Sequence, residues 1–210
     1  ARGSSGVVLI TTKRGKEGKT QINYDGYFGV SHLANKVEVL DGEGWVKYKA
    51  AGNKTTQLDR FLDPVELKNY QELNLRNGMQ QSHNLGVLGG NQKTKFSISA
   101  NYLNQKGIVY NSDFTRGSTQ LNLDHQVTSR LKIGMSTLLS YSRENIINAS
   151  QVLGQAMRIG PLGDVYNEDG TYRLFPTSEA LLGNPRTDAE NEKRRRDRTR
   201  IFSSIYAEAQ

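Results

Sequence analysis

The sequence has no cysteine, four prolines and one tryptophan, and its longest wholly apolar run is Val7–Ile10. Without cysteine there is no disulfide framework and no thiolate metal site, and redox compartment leaves no mark. A helix that spans a bilayer needs about 20 apolar residues, so none is encoded; strands remain as a way across. Histidine is scarce too. His32, His83 and His125 stand apart, with no partner at metal-ligand spacing. His83 and His125 are expected near strand ends as ordinary polar residues. The formal charge of +7 is mildly basic, which separates nucleic-acid, anionic-lipid and bland readings poorly. The 210 residues suit one all-β domain or two small ones. The chain opens at Ala1 without Met and stops at Gln210 in what reads as a strand, so it is expected to be an internal piece. A missing targeting signal then says nothing about destination.

What is present is alternation. In Phe96-Ser97-Ile98-Ser99-Ala100-Asn101-Tyr102 the apolar residues take every second place. Leu121 and Leu123 repeat this, as do Ile133, Met135, Leu139 and Tyr141, and the stretch Gln81–Ser142 reads as four antiparallel strands. Strand side chains point to opposite faces with period two, so one face is apolar and the other is filled by Ser, Asn and Gln. Gln21–Ser31 alternates as well, with Gly26 and Gly29 expected to mark a bend or bulge. Val7–Thr12 is a run of β-branched residues broken only by Leu9, expected as a buried strand leaving one subdomain for another, with a charged linker after it. The spacing predicts helices at Asp41–Ala51, from Asp63-Pro64, and over Gln151–Ile159, a hairpin over Val165–Leu174, and a last strand from about Arg198 after the basic run Lys193–Arg196.

The joins alternate in length. Those near 89–93 and 126–129 are short, and those at 32–80, 105–115 and 143–196 are longer. In an up-and-down sheet this puts every short turn at one end and every long loop at the other, the signature of an outer-membrane barrel. A soluble sandwich or lipocalin-like barrel also alternates, but its outward polar positions are normally rich in Lys and Glu.

Catalytic and metal motifs are not found. Gly3-Ser4-Ser5-Gly6 precedes its strand and lacks the Lys-Ser/Thr of a phosphate loop. Asn167-Glu168-Asp169-Gly170 is part of a calcium-loop pattern, but Val165 takes the first ligand place and Pro176 the last. Tyr166, Tyr172 and Phe175 are the candidates for substrate binding by stacking on sugar rings; for each, packing of the loop onto itself is the competing reading. The basic run Lys193–Arg200 would suit lipid phosphates, partner carboxylates or a solvated loop base; nucleic acid does not suit the neighbouring strands.

Several separate blocks resemble the SusC/RagA-type TonB-dependent outer-membrane transporters. Ala1–Lys16 is similar to the end of their plug domain. Gln81–Leu85 with Gly89–Phe96 resembles the first periplasmic turn, Tyr102–Val109 with Asn111–Arg116 the next outer loop, and Leu121–His125 with Leu131–Gly134 the following turn and strand. The chain departs from the pattern at Gly117, where Tyr or Phe is common, and over residues 54–80, where a Trp-bearing segment is not recognisable.

The resemblance implies an all-β fold: residues 20–210 would open a large antiparallel transmembrane barrel of the plugged 22-stranded class, and 1–19 would be the end of the plug and its linker. It implies import of an oligosaccharide or peptide, energised through the TonB complex and aided by a SusD-like surface lipoprotein, with no cofactor. Ile22, Tyr24, Phe28, Phe96, Ile98, Tyr102, Leu121, Leu123, Ile133, Met135 and Leu139 would face lipid. Asn23, Asp25, Ser97, Ser99, Asn101, Gln120, Asn122, Asp124, Ser136 and Ser140 would face plug and lumen. The reading from a different class is a structural or adhesive outer-membrane barrel without TonB coupling, which would have no use for the plug-like start; an outer-membrane enzyme is a distant third.

Overall fold

The computed structural model describes residues 15–52, 68–177, 182–191 and 194–209. The expected strand Val7–Thr12, the helix start at Asp63-Pro64 and Lys193 lie outside the described residues. In chain order the elements are β1 (Gly18–Ser31), α1 (Gly42–Ala51), α2 (Tyr70–Asn74), β2 (Gly78–Gly90), β3 (Thr94–Lys106), β4 (Asp113–Thr128), β5 (Leu131–Asn145), α3 (Ala149–Arg158), α4 (Pro185–Asn191) and β6 (Arg195–Ala209). The strands form one six-stranded antiparallel sheet in sequence order.

Local chemistry sets the boundaries. Between β2 and β3 the Asn91 carboxamide accepts from the amides of Lys93 and Thr94 at 2.9 and 2.7 Å, closing a tight turn. Gly90 enters that turn at φ 156°, and a side chain there would strike the Thr94 carbonyl, so glycine is required. Asp41, Asn69 and Asn148 cap α1, α2 and α3, each accepting from an amide in the first helical turn. The hairpin turn at Asn167–Gly170 is present, with the Gly170 amide donating to Asn167 O at 3.0 Å and an antiparallel bridge between Tyr166 and Tyr172.

Four expectations are corrected. β1 pairs without interruption from Gln21 to Ser31, and its irregularity falls between Gly18 and Gln21, so Gly26 and Gly29 mark no bulge. Gly26 instead leaves room for a neighbouring pair: a Cβ there would sit 2.8 Å from the Tyr24 hydroxyl and 3.3 Å from His83 Nδ1. His83 lies in the middle of β2, not near a strand end; it is held there by a hydrogen bond between Tyr24 Oη and its Nδ1 at 2.7 Å. His125 does lie near the end of β4, bonded to Thr94 Oγ1 at 2.8 Å. β6 begins at Arg195, so Arg195 and Arg196 are part of the strand that the basic run was expected to precede.

The join between β3 and β4 is also tighter than the range 105–115, because both strands extend into it; the Gly107 amide donates to Ser112 O at 2.6 Å across its base.

Candidate functional site

Two surfaces carry the functional reading: the sheet faces, and a small folded body at the long-loop end. Register defines the faces, because directly opposed residues share one. One row runs Val87, Ile98, Leu121 and another Phe96, Leu123, Met135, Ile205. Ile22 joins the first through Val87, and Tyr24 joins the same face through Leu85. All the residues expected to face lipid fall on this one face, and all those expected to face the lumen fall on the other.

Burial is inverted relative to a water-soluble sheet. The apolar face is exposed, with Phe28 at 75 %, Ile22 at 71 % and Ile205 at 78 %. The polar face holds the buried Ser82 and Asn122 and is tied by side-chain bonds: Asn84 donates to Asp25 at 3.3 Å, Asn101 donates to Asn84, and Ser136 donates to Asn122 at 2.7 Å. At the turn end Tyr206 crosses over Gly134 to donate to Asp124.

The apolar positions of β5 run from Leu131 to Tyr141, roughly 34 Å of strand at about 3.4 Å per residue. A tilt of about 40° shortens that to about 26 Å, matching the roughly 25 Å apolar band of outer-membrane barrels. No helix among the described residues is long and apolar enough to cross a membrane.

At the other end the long loops make a cap with its own dry core. Tyr70 of α2 packs with Ala156, Ile159 and Val165; beside them Val109 packs with Val152 and Ala189. On α3 the buried pair Val152 and Ala156 is spaced by four, so one helical face serves both clusters. Gly160 permits close approach of α1, since a Cβ there would meet the Trp45 indole at 2.6 Å. Tyr70 Oη donates to Gly163 O at 3.0 Å. Its pKa lies well above the usual tyrosine value because burial disfavours the phenolate, and the Asp164 charge adds to the effect.

Arg186 joins the three loops. Its Nη1 donates to Leu73 O at 2.9 Å, its Nε to the Tyr172 hydroxyl at 3.3 Å, and its Nη2 pairs with Glu190 at 2.6 Å. The guanidinium carbon lies 3.5 Å from the centre of the Tyr110 ring, and Arg76 stands 5.4 Å from the same centre. Burial opposes the Arg186 charge, but its partners more than offset this and its pKa is raised. Sequence reading missed Arg186, because its partners lie as far away as Leu73. A local signal did exist: Asn184, buried and two residues before it, accepts from the Arg186 amide at 3.0 Å and donates to Val165 O and Arg173 O at 3.1 and 3.0 Å.

Of the aromatic candidates, Tyr166 and Tyr172 are brought together, ring centres 5.1 Å apart and tilted by 31°. Tyr172 is held on its other side by a bond to Glu190 at 3.0 Å and packs against the Tyr70 cluster; Tyr166 and Phe175 stay exposed at 51 and 45 %. Among the described residues no group of three His, Asp or Glu side chains is placed to hold a metal ion.

No protein-family profile matches the chain. Similar curated proteins include the TonB-dependent receptor P3 of Formosa agariphila, 26 % identical over 83 % of this chain, and the TonB-dependent receptor SusC of Bacteroides thetaiotaomicron, 27 % identical over 83 %. The chain spans under a fifth of the length of these relatives, 18 % and 17 %. Among solved structures, the RagAB peptide importer in its closed-closed state superposes over all of this chain and 28 % of its own, with TM-score 0.77 at 15 % identity. Its open-open state gives 0.76 at 16 %. None of these names is that of an enzyme, and the shared fold is the all-β antiparallel wall of such a transporter. The residue blocks, the relatives and the fold agree: the chain is similar to the SusC-type TonB-dependent receptors and shares the fold of the RagAB importer's barrel wall.

Proposed function

We propose that this chain is part of an active importer in the bacterial outer membrane that takes up an oligosaccharide or peptide, energised through the TonB complex. The observation that carries the reading is the sheet itself: a meander with its apolar face exposed, its polar face bonded, and both short turns at the end opposite the cap. Burying such a face in acyl tails is favourable, whereas leaving it in water is not.

In this reading residues 20–210 open the barrel and 1–19 end the plug and its linker. Gly15 supports it by lying against the Phe96 backbone, where any side chain would clash, at the turn end of the wall. Leu138 and Phe202, opposed on the polar face, also support a covered lumen, since Phe202 is 62 % exposed in the described chain. Contacts made by Ser, Asn and Gln exchange for water at small net cost, which suits a plug that must be held and then moved.

The cap would meet the SusD-like lipoprotein and the cargo. Val37, Val39, Leu40 and Tyr48 form an exposed apolar strip on it, suited to a protein partner. Tyr166, Tyr172 and Phe175 would be the cargo-facing aromatics, with Tyr172 anchored and Tyr166 presented. Uptake by cells carrying the full-length protein should stop when an uncoupler collapses the proton gradient, and should weaken a few-fold in Tyr166→Ala. Uptake that survives the uncoupler contradicts the importer reading.

A further inference from the structure

The apolar face is not uniformly filled. At the level of Gly117 one row of the register runs His83, Tyr102, Gly117, Tyr141. Glycine thus stands between two tyrosines, and a Cβ on Gly117 would meet nothing within 4 Å. The result is a groove of about 400 Å³ floored by Gly117, Ala100 and Thr119 and walled by Tyr102, Leu139 and Tyr141. Thr115, Gly117, Thr119 and Leu121 share the apolar face along β4, so the floor follows one strand. A narrow apolar channel of that kind fits a single extended hydrocarbon chain, which fills it with dispersion contacts on both sides.

Its loop end is charged. Arg143 of β5 donates from Nε to Asp197 at 2.9 Å and from Nη2 to the Tyr141 hydroxyl at 2.9 Å; Arg195 Nε reaches the same Asp197 at 3.0 Å. Lys106 ends β3 on the same face, opposite Asp113, which pairs with Arg76 at 2.5 Å. On this face Arg143, Lys106 and Arg195 therefore stand with the carboxylates Asp197 and Asp113 two to four residues beyond the Tyr102 and Tyr141 walls, toward the loop end. Two guanidiniums sharing one aspartate keep donors free for a second anion, and guanidinium forks suit phosphate.

We propose that this groove seats one acyl chain of a phosphate-bearing outer-leaflet lipid, whose phosphate lies against Arg143 and Arg195. The site rests on the membrane reading above and goes beyond it, because it names a fixed lipid position on the wall. The chain would complete the aromatic collar at Gly117, and the headgroup would join β5 and β6 at the level where the cap begins.

The test uses full-length protein extracted from outer membranes and exchanged into mixed micelles of phosphatidylglycerol and phosphatidylcholine, with retained lipid counted by native mass spectrometry. Wild type should retain one phosphatidylglycerol. Gly117→Phe should fill the groove and lower retention by about tenfold, and Thr119→Phe, which narrows the same floor, should act likewise if the first variant fails to fold. Arg143→Gln combined with Arg195→Gln should abolish the preference for phosphatidylglycerol over phosphatidylcholine. Equal retention in both Phe variants, or a preference untouched by the double variant, would overturn the site. Displacement of the lipid by millimolar inorganic phosphate would also overturn it in favour of a free-anion site. Failure to recover wild type from the outer membrane would instead count against the membrane reading.

Discussion

The wall and the cap use the same amino acids for opposite solvents. On the wall Phe28, Ile22 and Ile205 are more than two-thirds exposed, while in the cap Tyr70, Val152 and Val165 are exposed by only 1–2 %. The wall is held by strand ladders and polar side-chain bonds on one face, with its apolar face left for another phase. The cap is held as soluble proteins are, by packed aliphatic and aromatic groups, with the Asn184 carboxamide and the Arg186 guanidinium bonded to carbonyls of neighbouring segments. On the proposed reading, the loop body would stand above the membrane on its own core, and the wall beneath it would draw its stability from lipid.

The sharpest way to break this contrast is to put the same charge on adjacent residues. Leu121→Lys should cost about 2–4 kcal/mol of folding stability in lipid vesicles, because the ammonium lands at mid-band on the lipid side. Its neighbour Gln120→Lys, on the polar face, should cost less than about 1 kcal/mol. Denaturant titration of the full-length protein in vesicles checks both, and equal costs would erase the distinction between faces.

In the cap, Arg186→Met should remove the tie among the three loops at a cost of about 2–3 kcal/mol, since the Leu73 carbonyl loses its donor and Glu190 its cation, keeping only the Tyr172 hydroxyl. Amide exchange should rise around Leu73 and over Val165–Arg173 and stay unchanged in β3 and β4. Tyr70→Phe should cost about 1 kcal/mol through the lost bond to Gly163. The same residue gives the cap a pH limit. Because its folded pKa is raised, its contribution is intact below the unfolded value of about 10 and is lost as pH rises past it. Exchange in the cap should therefore accelerate above about pH 10 in wild type and less so in Tyr70→Phe. The most local effect is expected from Asn148→Ala, which removes the α3 cap bond to the Gln151 amide and should cost about 1 kcal/mol, felt only in the first turn.

Wall and cap were also unequally legible in the sequence. The faces of the wall could be read from Phe96-Ser97-Ile98-Ser99 because strand geometry converts spacing directly into orientation. The turn at Asn91 and the caps at Asp41 and the hairpin at Asn167 are local, and their chemistry lies within a few residues. The cap was not readable in the same way. Val109 of one loop meets Val152 and Ala189 of another with no shared period, and Arg186 finds Leu73 and Tyr110 only once the loops have folded. His83 misled for a related reason. A histidine in an apolar row looks misplaced until Tyr24 reaches it across Gly26 and the rings of Phe28 and Tyr102 flank it. The pairing of Tyr166 with Tyr172 followed from the hairpin, but the bond that anchors Tyr172 to Glu190 did not.

The central claim is the outward direction of the apolar face, and in a background cleared of any cysteine elsewhere, this chain contributing none, it is directly measurable. Single cysteines at residues 120–123 of the full-length protein, spin-labelled in native-like membranes, should alternate: labels at 121 and 123 accessible to oxygen in the acyl region, labels at 120 and 122 shielded from it. Alternation of the opposite phase, or none, would contradict the account.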